Sequence, residues 1–176
     1  GEIRRIAVFR RSELLITFVT AISVVAAVVL IGIGIAVGLS IIDLLRRITR
    51  PHAAVLGYAP GVPGMHDMDD YPESNAVDGL VVFRYDSPLF FANADDFVER
   101  ALEAVDANEA DGTHVHWFLL NAEANTEFDL TAVDALEELR EQLIGRGVRF
   151  AMARVKQEVI RQLEPSGFID RLGEDH

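Results

Sequence analysis

Cysteine is absent from the 176 residues, and lysine occurs once, at Lys156. The first absence excludes disulfides, thiolate metal sites and cysteine nucleophiles, and it leaves the redox compartment open. The second reads as coding bias, because arginine fills nearly every basic position. There is no P-loop and no nucleophile elbow. A basic stripe is also missing. With a net charge of −12 the chain repels nucleic acid, and no nucleic-acid partner is expected.

That charge is unevenly spread. Residues 1–50 hold seven arginines against three acidic residues, a net +4. Residues 51–176 hold nine basic and 25 acidic residues, a net −16. Between the arginines of the first part runs LLITFVTAISVVAAVVLIGIGIAVGLSII, 29 residues from Leu14 to Ile42 without a charge. A signal peptide has an apolar core of only about 7–15 residues. A buried helix of a soluble protein would have to hide this run on every side. A transmembrane segment is the reading that fits.

As one straight helix the run is roughly 44 Å long, against a hydrocarbon core of about 30 Å. It must then tilt or protrude, or bend into two short segments. The flanks favour a bend. Arg4, Arg5, Arg10 and Arg11 precede the run, and Arg46, Arg47 and Arg50 follow it. Positive residues mark the cytoplasmic side. Two basic flanks predict a chain that enters and returns, turning near Ser23–Val28. Gly34 and Gly38 carry the small-xxx-small spacing that lets helices approach closely, here against further helices of the same protein.

The expected organisation is a basic juxtamembrane segment at 1–12, membrane segments at 13–47, a linker at 48–76 and an α/β domain at 77–176. The linker, PHAAVLGYAPGVPGMHDMDDYPES, is rich in Gly and Pro turn signals. Its His66, Asp67, Asp69 and Asp70 lack further ligands at a metal-binding spacing, so they read as a solvated acidic loop. From Val77 the pattern predicts β-β-α-β-α-β-α. GLVVFRYD, SPLFFAN, HVHWFLLN and VRFAMA are the strands, with HVHWFLLN apolar enough to be covered on both faces. The helices start after Asn93, at Leu130 and at Val155. The sheet is mixed, with helices mainly on one side.

Chemistry-bearing residues are sparse. Asp95, Asp96 and Glu99 lie at a helix start, where acids usually complement the dipole. His114 and His116 share a strand face, and packing explains them more simply than metal does. No enzyme activity, cofactor or metal is expected. A phosphate could meet free N–H groups before Asn93 and Thr131, but the net −16 opposes a polyphosphate.

The string LGYAPGVPGMHDMDDYP…GLVVFRYDSPLFFANADDFVERAL resembles the junction after the last membrane helix of SulP-type anion transporters. In that family such a linker leads into a cytoplasmic STAS domain. FVTAISVVAAVVLIGIGIAVGLSIIDLLRR is similar to the family's final two short membrane segments. LLNAEANTEFDLTAVDALEEL is similar to its strand–loop–helix signature. Asn121 stands where an Asp commonly closes the strand. Asp129, Thr131 and Ala132 match the stretch that opens the helix. Leu130 replaces a hydroxyl residue that is phosphorylated in the anti-sigma-factor antagonists. Thr131 is then either a substitute phosphate acceptor or, with Asp129, a helix cap.

The resemblance implies the C-terminal fragment of a secondary transporter of sulfate, bicarbonate or a similar inorganic anion. Twelve or so membrane segments would precede Gly1, and the last strand and helix of the STAS domain would follow His176. The anion would bind in that missing membrane part. The protein would be multi-pass in the cell membrane, with lipid around it, the STAS domain cytoplasmic and a homodimer as the assembly. The alternative is a membrane-anchored STAS signalling module holding a cytosolic protein partner. Asn93, Asn121, Asp129 and Thr131 are the candidate regulatory or partner-binding residues.

Overall fold

The computed structural model describes residues 2–110 and 112–174, with side chains described for 15–110 and 112–173. The chain divides into two units, 1–46 and 47–176.

The first unit is helical. Helix α1 runs from Glu2 to Thr49 without interruption. The turn expected near Ser23–Val28 is not there, and the reading of two short segments is corrected to one helix. The local reason is plain. The run contains no proline. Its hydroxyls bond back into their own helix, Thr20 to the Ile16 carbonyl at 2.8 Å and Ser23 to the Val19 carbonyl at 2.8 Å. Nothing in the segment itself breaks a helix. A turn inferred from flanking charge depends on lipid and neighbouring helices, and neither is a property of this stretch alone. The side chains of Arg4, Arg5, Arg10 and Arg11 lie outside the described residues. From Leu15 onward the large apolar side chains of α1 are all exposed, up to 74% at Leu30.

The second unit is built on five strands. β1 (Ala53–Tyr58), β2 (Met65–Asp67), β3 (Leu80–Tyr85), β4 (Trp117–Asn121) and β5 (Arg149–Ala153) stand in the order β2-β1-β3-β4-β5. β1 pairs antiparallel with both β2 and β3, while β3, β4 and β5 are parallel. The sheet is therefore mixed, as expected. The segment read as a linker supplies two of its strands. SPLFFAN is not a strand. It is a loop with one bridge from Leu89 to Phe128.

Helices α2 (Ala94–Ala110), α3 (Leu130–Gly145), α4 (Gln157–Leu163) and α5 (Phe168–Glu174) complete the unit. The core lies between them and one sheet face. Val81, Phe83, Tyr85, Phe118, Leu120 and Phe150 meet Phe97, Ala101 and Val105 of α2 and Leu136, Leu139 and Leu143 of α3. The other face carries Ala54, Leu56 and Val82, with Leu80 and Leu119 half-buried. β4 is thus central but covered on one face only, against the two-face expectation. α5 was not expected. Gly167 takes φ +69°, which L side chains rarely adopt, and turns the chain after Pro165. Phe168 then packs fully buried against Phe150, with ring centroids 6.2 Å apart.

Candidate functional site

Parallel strands β3 and β4 deliver their C-terminal ends to the same rim as the N-terminus of α3. Open α/β sheets commonly place binding groups at this rim. Asp129 sits there as the N-cap of α3. One carboxylate oxygen accepts the Ala132 N–H at 2.8 Å, and the other accepts the Phe91 N–H at 2.8 Å. The sequence leads to the first bond, because Asp is a favoured cap with a free N–H three residues on. It gives no sign of the second, which spans 38 residues.

Asn93 is only 1% exposed. Its amide oxygen accepts the Phe90 N–H at 3.0 Å, and its NH2 donates to the Pro88 carbonyl at 2.9 Å. The side chain therefore braces the 87–93 loop rather than capping α2 or facing solvent. Asn125, fully buried, does the parallel job from the β4 side. Its NH2 donates to the carbonyls of Tyr85 at 3.1 Å and Ser87 at 2.7 Å. Asn121 closes β4 and accepts the Glu123 N–H at 3.2 Å in a local turn. Thr131 is exposed.

The structure thus brings Asp129, Thr131 and the Asn93-braced loop together, while Asn121 lies at the adjoining strand end. Two neighbours escape sequence reasoning. Phe91 is 73% exposed and Leu130 is 77% exposed. Both are anchored beside Asp129, one through its N–H and the other by direct succession. Their exposure follows from how two distant loops meet, and the local pattern FF or DL does not encode that.

Beneath the loop, the Tyr85 hydroxyl donates to Asp96 at 2.9 Å. Burial, and then the bond to Asp96 and its charge, push the phenol well above its ordinary range, and Arg100 offsets this only in part. Asp96 also faces Arg100 at 3.3 Å and Arg50 at 3.8 Å. Its role is more specific than complementing a helix dipole. On the far side of α3, burial raises the Glu137 carboxyl, but hydrogen bonds and charge from Arg140 and Arg171 outweigh it and hold the group below its usual value. The Arg171 contact, at 3.0 Å, ties α5 to α3.

The HDMDD stretch is not the solvated loop it resembles. Asp67 is 5% exposed and receives His52 Nε2 at 2.6 Å, while His66 contacts the Pro63 carbonyl and the Tyr71 ring. His114 and His116 lie just before β4 rather than within it. Their rings meet edge to face at 4.9 Å, and His114 Nδ1 contacts Glu109 at 3.1 Å. Among the described residues no group of three or more His, Asp or Glu could hold a metal ion.

Known proteins agree with this architecture. The STAS domain family matches residues 71–174. Over all 176 residues the chain is 54% identical to a probable sulfate transporter of Mycobacterium tuberculosis, of which it covers 31%. It is 32% identical over 151 residues to probable sulfate transporter 4.2 of Arabidopsis thaliana, covering 82% of this chain and 22% of that protein. The chain therefore spans less than a third of the length of these curated relatives. Among solved structures, the murine Solute Carrier 26 family member A9 anion transporter aligns with a TM-score of 0.65 at 20% identity, covering 77% of this chain and 21% of that one. That likeness concerns the fold alone. With more than half of its residues matched and the sheet and helices of the second unit in place, the chain belongs to the STAS domain family, and the relatives it matches are sulfate transporters.

Proposed function

We propose that the chain is the C-terminal part of a secondary transporter of inorganic anions of the SulP type. Residues 13–47 belong to a multi-pass membrane domain, residues 1–12 are the basic segment before it, and the domain from residue 48 onward is cytoplasmic. The observation that carries this reading is the covalent union of a STAS domain with α1. The described apolar side chains of α1 are exposed along its length. Water would not tolerate such a helix, whereas lipid or packed membrane helices would. The names of the relatives make sulfate the first anion to try, and the resemblance to SulP-type transporters adds bicarbonate as the second. The anion site itself falls to the remainder of the protein. The STAS domain serves regulation or assembly, including a homodimer.

The direct test is flux. The complete polypeptide that carries this chain, reconstituted in vesicles, moves labelled sulfate or bicarbonate down a gradient. If neither anion moves under any imposed gradient of protons, sodium or anion, the reading is wrong.

A second reading keeps the membrane anchor but makes the domain a signalling module. It is favoured by Phe91 and Leu130, which stand 73% and 77% exposed beside Asp129 and Thr131. Such a pair suits a cytosolic protein partner. Leu130→Ser and Phe91→Ser together would then abolish capture of one stoichiometric partner while leaving flux unchanged. Loss of flux with no partner captured would favour the transport reading.

A further inference from the structure

His52 is three residues past the end of α1 and the last residue before β1. Pro51 stops the helix. Three elements hold His52. Its carbonyl accepts the Asp86 N–H at 2.9 Å, from the end of β3. Its imidazole Nε2 lies 2.6 Å from a carboxylate oxygen of Asp67, on β2. The carbonyl of the preceding Pro51 accepts from Arg100, on α2, at 3.5 Å.

The Asp67 carboxylate is nearly sealed, at 5% exposure. Its second oxygen accepts the Asp69 N–H at 2.9 Å. The charged groups around it are few. Arg84 approaches Asp67 to 4.0 Å and pairs more closely with Asp86, at 2.8 and 3.1 Å. Asp69 and Asp70 are exposed on the same turn. Arg50 faces Asp96, and Arg100 faces Asp96 as well. Among the described residues, His52 is the hydrogen-bonded partner of Asp67 that can gain a proton, with Arg84 as a more distant positive neighbour. A buried carboxylate relies on a hydrogen-bonded positive partner, and losing half of such a pair is expensive. Histidine is also the ordinary side chain that changes charge between about pH 5 and 8.

We infer that the His52–Asp67 pair is a proton-operated clamp on the segment where the chain leaves α1. With His52 protonated the bond is charge-assisted, and β1, β2 and the end of β3 are drawn together at this point. With His52 neutral, the carboxylate keeps an N–H donor but loses its ion-pair partner, and the start of β1 loosens. Because 55% of the His52 side chain is exposed, protons reach it directly from solvent. The clamp does not depend on the transport reading.

The test is amide hydrogen exchange on the full chain in nanodiscs at pH 6 and pH 8, expressed as protection factors so that intrinsic exchange cancels. Amides of α3 serve as the internal reference. In the wild type, protection of the Asp86 N–H and the β1 amides falls about fivefold from pH 6 to pH 8, as the ion pair gives way to a hydrogen bond between a neutral imidazole and the carboxylate. His52→Gln keeps a neutral donor but cannot gain a proton. It should show equal protection at both pH values, matching the wild type at pH 8. Asp67→Asn should flatten the response in the same way, and the His52→Gln comparison stands alone if Asp67→Asn fails to fold. A flat wild-type response, or a His52→Gln chain that keeps the fivefold drop, overturns the clamp.

Discussion

Asp129→Ala removes two hydrogen bonds that lie in different parts of the chain, and their separate costs can be worked out. Loss of an aspartate N-cap costs about 1 kcal/mol. The bond to the Phe91 N–H is also charge-assisted and would be worth about 1.5–3 kcal/mol if sealed. Phe91 is 73% exposed, so its amide can rehydrate, and the lower end applies. The sum is about 2.5 kcal/mol. Asp129→Asn keeps a single acceptor oxygen and can serve one N–H at a time, so it should lose about half as much. Trp117 is the chain's one tryptophan and sits in β4, with Arg149 above its ring at 5.3 Å. Its fluorescence therefore follows the sheet and is blind to α1. In urea, with a slope of about 1–3 kcal/mol per M, the alanine chain should unfold about 1 M earlier than the wild type and the asparagine chain about 0.5 M earlier. An Asn shift near zero beside a full Ala shift would show that only one of the two oxygens matters. A shift too small to measure for Ala would refute the bridging role altogether.

Three further outcomes follow from the same packing. Tyr85→Phe deletes a buried hydroxyl that donates to Asp96, and should cost about 1 kcal/mol at neutral pH. Because the folded phenol titrates above its unfolded value, its contribution is full below about pH 10 and is lost above it. The wild type should therefore lose stability in alkali more steeply than the Phe variant, and a pH series of Trp117 urea midpoints checks this. Asp67 and Glu137 behave oppositely. Burial opposes the charged form of each, yet their partners hold both carboxyls below the ordinary value, so their stabilisation is present above about pH 4 and is lost as pH falls further. Glu137→Gln should flatten part of that acid limb, and an unchanged limb would contradict the Arg140–Arg171 pairing. Gly79 has φ +76°, and a Cβ there would come within 2.9 Å of the His116 ring, so Gly79→Ala should destabilise by about 1–3 kcal/mol in the same assay.

Much of the fold is written locally. Phe97, Val98, Ala101 and Val105 repeat at helical spacing and are all buried, as are Val133, Leu136, Leu139 and Leu143. β3, β4 and β5 announce themselves by β-branched and aromatic runs. β1 and β2 do not. AAVLGY lies among Gly and Pro signals, and MHD is three residues long. Each becomes a strand only through pairing, Leu56 with Asp67 and Val55 with Phe83. The reverse error occurs at SPLFFAN, which is apolar enough for a strand. Its backbone groups are claimed instead by Asn93 and Asn125, two amides that local pattern treats as turn formers. Asp67 misleads for a related reason. Asp69 and Asp70 beside it are exposed, whereas Asp67 is buried and pairs with His52, fifteen residues earlier. Arg154 adopts φ 58° at the end of β5 and pairs with Glu123, and nothing in the sequence foretells this left-handed turn at a non-glycine residue.

The candidate site was half legible for the same physical reason. A cap is a contact over three residues, so Asp129 can be read directly. A loop brace such as Asn93, or an exposed pair such as Phe91 and Leu130, exists only once two strand ends have met. That meeting bears on where an anion could be handled. The N-termini of α2 and α3 are the points of this domain where backbone N–H groups would receive a negative ligand. The domain's own carboxylates stand at both, Asp95 and Asp96 in the first turn of α2 and Asp129 on the Ala132 N–H of α3. With a net −16 over residues 51–176, the surrounding field adds to the exclusion. With Asp129 on the Ala132 N–H of α3 and two carboxylates in the first turn of α2, neither helix end favours an anion. On the proposed function, the inorganic anion is therefore expected in the lipid-embedded part of the protein.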